Sequence, residues 1–233
     1  MKKFRLISYN LHKGLDPIGR SIGMGPIKAA LKTLSPDFLL VQELAEKHHE
    51  KIREVQLEDL ADTQWKHHAY GKNAIYPKGN HGNAILSSLP ISDYHNVDLS
   101  QHRWERRGLL HAKIEGKKTL HLLTTHLDLL EFTRIQQVEK IFSYLEKIPK
   151  TDSVILAGDF NDWTRSLNKL FLSKGFIEYT APTFPSWLPV LSLDRIYTRN
   201  IEIKKFHSYQ GKPWGRLSDH LPIAIDFRWD TSK

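Results

Sequence analysis

Apolar runs that stop abruptly at a polar residue recur along the chain, and they predict buried strands. Phe38-Leu39-Leu40-Val41 is continuous rather than alternating, the pattern of a strand covered on both faces; Val154-Ile155-Leu156-Ala157 is a second apolar run, Ala84-Ile85-Leu86-Ser87 a short strand, and Phe4 to Asn10 a strand that ends in a polar residue. Leu109 to Ile114 and Thr119 to Thr125 flank Glu115-Gly116-Lys117-Lys118 and predict a hairpin. Further strands are expected at Leu193 to Thr198, Ile201 to Phe206 and Pro222 to Trp229. Helical spacing runs through Ile27, Ala30, Leu31 and Leu34, ended by Ser35-Pro36, and again through Ile135, Val138, Ile141, Phe142, Leu145 and Ile148, ended by Pro149. A shorter helix around Leu167, Leu170 and Phe171 takes Gly175 as its cap. Hairpins without strict strand–helix alternation argue against a doubly wound parallel sheet. The expected fold is an α/β (α+β) four-layer sandwich: two packed, mixed, mostly antiparallel sheets flanked by helices.

Composition narrows the function classes. At 233 residues and 40% hydrophobic content, with no repeat or linker, the chain reads as one domain over residues 1–233. Lys and Arg exceed Asp and Glu by eight, which favours an anionic partner such as nucleic acid, phospholipid or a phosphorylated metabolite. There is no Cys, so disulfides, thiolate metal sites and thiol nucleophiles are excluded. Met1-Lys2-Lys3 leads straight into a strand, so the expectation is a monomeric, cytoplasmic protein without stable membrane insertion.

Candidate chemistry collects at strand ends. Asn10, Glu43, His126, Asp159, Asn161, Asp194, Asp219 and His220 each lie at or just past the end of an expected strand. Converged in one cleft, carboxylates could hold a hard divalent cation, imidazoles could contact a phosphoryl oxygen and an Asp could activate water. Mg²⁺ suits oxygen donors of this kind, with Mn²⁺ as a substitute. Zinc is disfavoured: there is no H-E-x-x-H, and the pairs His48-His49 and His67-His68 would diverge on a helix.

Taken in order, Ser8-Tyr9-Asn10, Gln42-Glu43, Gly82-Asn83-Ala84-Ile85-Leu86-Ser87, Thr125-His126-Leu127, Gly158-Asp159-Phe160-Asn161, Leu193-Asp194-Arg195-Ile196 and Ser218-Asp219-His220-Leu221-Pro222 resemble the motifs of the endonuclease/exonuclease/phosphatase superfamily, the DNase I-like fold. The resemblance runs from Phe4 to Phe227 and points to a compact bacterial branch. It implies Glu43 as principal metal ligand with Asn10 beside it, and Asp159 as the residue that orients or deprotonates the attacking water. It further implies Asn161 on a phosphate oxygen, His220 against the scissile phosphate oriented by Asp194, Asp219 toward the metal side, and His126 as electrostatic stabiliser or acid. Asn83 and Arg107 would border the phosphate.

The implied activity is a metal-dependent phosphodiesterase, a nuclease on DNA or RNA that works by water attack without a covalent intermediate. A phospholipid headgroup or small phosphorylated metabolite is the alternative substrate, and a catalytically inactive nucleic-acid-binding module is the alternative class. Asp194 could instead pair with Arg195. Trp104, Trp187 and Trp214 fall in expected loops, where they either stack on bases or pack the rim. If His residues transfer the protons, activity should fall below the ordinary imidazole pKa of about 6.5.

Overall fold

A computed structural model describes residues 1–47, 56–76, 79–102 and 106–232. In chain order the elements are β1 (Lys2–Asn10), α1 (Met24–Thr33), β2 (Phe38–Lys47), α2 (Gln56–Leu60), β3 (His67–Tyr76), β4 (Gly79–Ser87), β5 (Asp93–Asp98), β6 (Gly108–Ile114) and β7 (Leu120–His126). They continue with α3 (Glu131–Leu145), β8 (Ser153–Asp159), α4 (Asn168–Ser173), β9 (Ile177–Thr180), β10 (Asp194–Arg199), β11 (Glu202–Ser208) and β12 (Ile223–Trp229). The strands form two six-stranded sheets, ordered β11-β12-β1-β2-β4-β3 and β5-β6-β7-β8-β10-β9. Each sheet has one parallel pair at its centre, β1 with β2 and β7 with β8, and every other pairing is antiparallel.

The continuous apolar runs divide their residues between two cores, because successive strand side chains point to opposite faces. In β8, Ile155 and Ala157 join Leu6, Phe38, Ile85, Leu122 and Phe227 in the core between the sheets. Val154 and Leu156 turn outward and pack with Val138, Ile141 and Phe171 beneath α3 and α4. In β1 and β2, Ile7, Leu39 and Val41 likewise turn outward against Ile27 and Leu31 of α1. The result is the expected four layers.

His67 and His68 lie in β3 rather than on a helix, so their side chains leave opposite faces. Trp104 and the His48-His49 pair lie outside the described residues. No helix among the described residues is long and apolar enough to cross a membrane.

Topology alone brings the candidate residues together. The parallel pairs β1–β2 and β7–β8 end at the same rim, and β10 begins there. Asn10 is level with Gln42 across β1–β2, His126 with Asp159 across β7–β8, and Asp159 with Asp194 across β8–β10.

Candidate active site

Glu43 reaches the cleft through a bulge. The β2–β4 register shifts between Val41 and Leu44, and Glu43 takes a left-handed φ of 55°. An extra residue of this kind re-aims a side chain that regular pairing would place elsewhere. His12, Lys13 and Asn161 also have positive φ, so backbone strain gathers at this rim, as it does where function over-determines conformation.

Asn10 ties the carboxylates together. Its Oδ1 accepts the His12 N–H at 3.0 Å, which fixes the amide orientation and turns Nδ2 toward Asp159 Oδ2 at 3.1 Å and Glu43 Oε1 at 3.4 Å. In this orientation Asn10 positions two acids and offers them its NH₂, beside Glu43 as expected. On the far side of Glu43, Lys13 Nζ sits 2.7 Å from Oε2. Burial pushes the Glu43 carboxyl up, but the positive charge around it, with the Lys13 ammonium in direct contact, more than reverses this and holds it well below the usual carboxylate range.

Asp159 is fully buried between two imidazoles. Its Oδ2 lies 3.5 Å from His126 Nε2 and 3.6 Å from His220 Nε2. Its Oδ1 accepts the Asn161 N–H at 3.0 Å. Burial and the neighbouring Asp194 push its pKa up to about 6, against the pull of His220 and the hydrogen bonds from Asn161 and Asn10. His220 is the opposite case. Burial favours its neutral form, yet Asp194, whose Oδ2 is 2.8 Å from Nδ1, and Asp159 outweigh it and push the pKa up to about 10. His126 is buried with Arg107 nearby, and both lower its pKa well below the ordinary value; its Nδ1 lies 3.8 Å from Glu43. The site therefore holds one imidazolium, one neutral imidazole and a carboxyl that titrates near neutrality, three different roles set by environment.

The remaining expected residues divide between the site and its supports. Asp194 does not pair with Arg195. Arg195 is fully buried beside Asp162 at 3.0 Å and Glu178 at 3.0 Å, while Asp194 serves His220 and accepts the Thr183 hydroxyl. Asp219 lies 3.6 Å from His12 Nδ1. Asn161 donates its amide to Leu127 O at 2.9 Å, which fastens the loop after β8 to the loop after β7. Asn83 donates to Gly108 O at 3.1 Å and braces β4 against the start of β6. Trp214 is buried with its ring edge-on to Tyr9, centroids 6.0 Å apart, so it packs the core. Trp187 is exposed.

Sequence reading missed Lys13, Asp162, Thr183 and Ser218. Lys13 follows Asn10 closely, and the strand-end rule extended by three residues would have found it. Asp162 accepts from Thr164, Ser166, Leu167 and Arg195, a loop anchor visible in sequence only as one more Asp. Ser218 Oγ donates to Asn10 O at 2.8 Å. Nothing in the sequence marks Thr183.

Two groups of donors deserve the test of metal fit. Asp159, Asp194 and His220 place ligand atoms within 4.8 Å of one another, with His220 Nδ1 engaged by Asp194, so a cation there would compete with the proton on His220. Glu43 fits better: it is an ionised, oxygen-donating carboxylate, partly open to solvent, that already attracts the Lys13 ammonium. A hard cation that keeps several waters matches that chemistry.

A model of the endonuclease/exonuclease/phosphatase family matches residues 7–220. YbhP of Escherichia coli K12, itself of uncharacterised function, is 35% identical over 96% of this chain and 95% of its own length. Among solved structures, an endonuclease/exonuclease/phosphatase from Beutenbergia cavernae superposes with a TM-score of 0.83 at 18% identity, over 99% of this chain and 72% of that one. Zebrafish TDP2, solved with a single-stranded DNA product, gives 0.71 at 17%, over 98% of this chain and all of that one. A mannosyl-6-phosphatase from Bacteroides thetaiotaomicron gives 0.69 at 17%, over 97% of this chain and all of that one. The chain belongs to the endonuclease/exonuclease/phosphatase family of hydrolases.

Proposed function

We propose that this chain is a divalent-metal-dependent phosphodiesterase in which water attacks phosphorus directly. The observation that carries the reading is Asp159, held between a neutral imidazole and an imidazolium with its own pKa pushed up to about 6. A carboxylate so placed takes a proton from water near neutral pH. The His220 imidazolium, pinned by Asp194, faces the negative charge that builds on the phosphoryl oxygens. Neutral His126 adds a hydrogen bond on the other side. Glu43 would hold Mg²⁺ or Mn²⁺, which supplies charge neutralisation at the phosphate. Two aliphatic hydroxyls beside the site are committed: Ser218 donates to Asn10 O and Thr183 to Asp194. Neither stands free as a nucleophile, and this supports hydrolysis without a covalent intermediate.

A net charge of +8 supports an anionic polymer or surface as the source of the diester. A nuclease on DNA or RNA, the class of ligand bound by the zebrafish neighbour, and a phosphodiesterase on lipid headgroups share this chemistry. The test is a panel of single- and double-stranded DNA, RNA, phospholipids and bis(p-nitrophenyl) phosphate with Mg²⁺, Mn²⁺ or EDTA. Turnover should need the cation, and Glu43→Gln should raise the cation concentration for half-maximal rate by at least about tenfold. EDTA-resistant turnover, or an unchanged cation requirement in Glu43→Gln, would reject the reading, and absence of all turnover would favour a binding module.

The pH dependence follows from the same geometry. Since His220 stays protonated to about 10 and His126 stays neutral, neither imidazole titrates near 6.5, and the acid limb expected of histidine passes to Asp159. With Asp159 required as carboxylate, kcat should rise as pH increases through about 6. It should fall again as His220 loses its proton toward about 10. A pH–rate profile on bis(p-nitrophenyl) phosphate checks both limbs; a flat profile across either value contradicts the assignment.

A further inference from the structure

Apolar side chains project into solvent around the mouth of the site. Eight of the thirteen large hydrophobic residues exposed among the described residues lie on loops, or the first turn of α3, at the rim where β1, β7 and β8 end and β10 begins. On one side stand Ile18, Trp187, Leu188 and Val190, with Ile18 and Trp187 exposed by 73% and 69%. On the other stand Leu129, Leu130, Phe132 and Trp163. The chemistry sits between them. Ser186, next to Trp187, donates its N–H to Asp219 O at 2.7 Å, and the loops bearing Leu129 and Trp163 are joined by the Asn161 bond to Leu127 O. Arg20 and Arg216 line the same cleft, 490 Å³ in volume, as Ile18 and Trp187, and Lys212 is exposed on the loop before Arg216.

We infer that this rim docks the protein on an anionic phospholipid bilayer, so that the site takes its diester from a headgroup; the inference rests on the phosphodiesterase reading. Isolated exposed apolar residues are ordinary, but an apolar set gathered on one end of a molecule marks an interaction surface. Three observations select the occupant. Five of the eight side chains are aliphatic, and aliphatic groups neither stack on bases nor bind phosphates, whereas they partition into acyl chains. The two Trp have the amphipathic rings that settle at the headgroup level. Arg20, Arg216 and Lys212, beside Ile18 and Trp187, complement an anionic leaflet, while on the other side, where Glu131 stands exposed between Leu130 and Phe132, the apolar side chains make the contact. A bilayer is also the partner that offers phosphodiesters at the boundary of an apolar phase, level with a recessed site in which Asp159 is 1% and His220 5% exposed. A protein partner or second copy seated on both apolar groups would cover that mouth.

The experiment is co-sedimentation of the full chain with sucrose-loaded vesicles of phosphatidylcholine and phosphatidylglycerol in equal parts, beside vesicles of phosphatidylcholine alone. Two double variants accompany it, Trp187→Ser with Leu188→Ser, and Leu130→Ser with Phe132→Ser. The wild type should sediment with the anionic vesicles and less with the neutral ones. Each double variant should lose about tenfold or more in vesicle affinity, while hydrolysis of soluble bis(p-nitrophenyl) phosphate stays within about twofold of wild type, which also shows that the variants fold. Wild type left in the supernatant, or variants that bind like wild type, would overturn the inference while hydrolysis of the soluble diester leaves the phosphodiesterase standing. Tighter binding of a single-stranded oligonucleotide, lost in the same variants, would reassign the surface to nucleic acid. Vesicle binding without hydrolysis of any diester would instead overturn the phosphodiesterase reading.

Discussion

Replacing Asp159 by Asn should lower kcat on a phosphodiester by about a thousandfold with a loss of stability of about 1–3 kcal/mol. The isosteric amide can still accept the Asn161 N–H, so the loop after β8 stays fastened, but its NH₂ then faces the Asn10 donor that Asp159 Oδ2 accepts from. What it loses is the proton-accepting group, typically worth 10²–10⁴-fold. The substitution also removes one of three carboxylates that hold the proton on His220, the others being Asp194 and Asp219. Steady-state kinetics with bis(p-nitrophenyl) phosphate and Mg²⁺ read the effect, and a KM that moves by less than about threefold would place the loss in the chemical step. Activity within tenfold of wild type would remove Asp159 from the mechanism.

Gly158→Ala should damage the fold and the site together. Gly158 has φ of +151° in a strand interior, and a Cβ there would come within 1.9 Å of Thr125 O on the neighbouring strand. Strain at that φ and the overlap with backbone act at once, and neither neighbour is a flexible side chain that could move aside. A loss of about 3–5 kcal/mol follows, or roughly 10 °C in Tm for a domain of this size. Because Thr125 precedes His126 and Gly158 precedes Asp159, any separation of β7 from β8 pulls the imidazole from its carboxylate, so activity should fall even where the variant remains folded. Gly175→Ala is the control: its φ is +78° but nothing lies within 4 Å of the added Cβ, and it should cost only about 1 kcal/mol. Thermal unfolding of the two variants side by side checks the contrast; equal Tm values would show that β7 and β8 can part at no cost.

The central strands and the residues at their ends were legible in the sequence because both sheets are buried on two faces. β8 reads as an unbroken apolar run that stops at Asp159, and β2 shows the same signal before Glu43. The strands that escaped notice, β3, β5 and β9, are sheet edges. β5 alternates poorly and is largely solvated, so no apolar run announces it. The family resemblance implied Asp194 as the partner of His220 but left its pairing with Arg195 open, since only the β8–β10 register shows which of them faces Asp159. Protonation states were not legible at all. His126 and His220 look alike in sequence, and burial near Arg107 makes one neutral while Asp194, Asp159 and Asp219 make the other a cation. The apolar rim was equally hidden, because its residues come from loops far apart in the chain.

Mg²⁺-dependent hydrolysis of bis(p-nitrophenyl) phosphate by the wild type and by His220→Ala, with matched thermal unfolding curves, tests the central claim most directly. The account predicts cation-dependent release of p-nitrophenol by the wild type and a loss of at least about a hundredfold in the variant. Equal, cation-dependent rates in both proteins would contradict it.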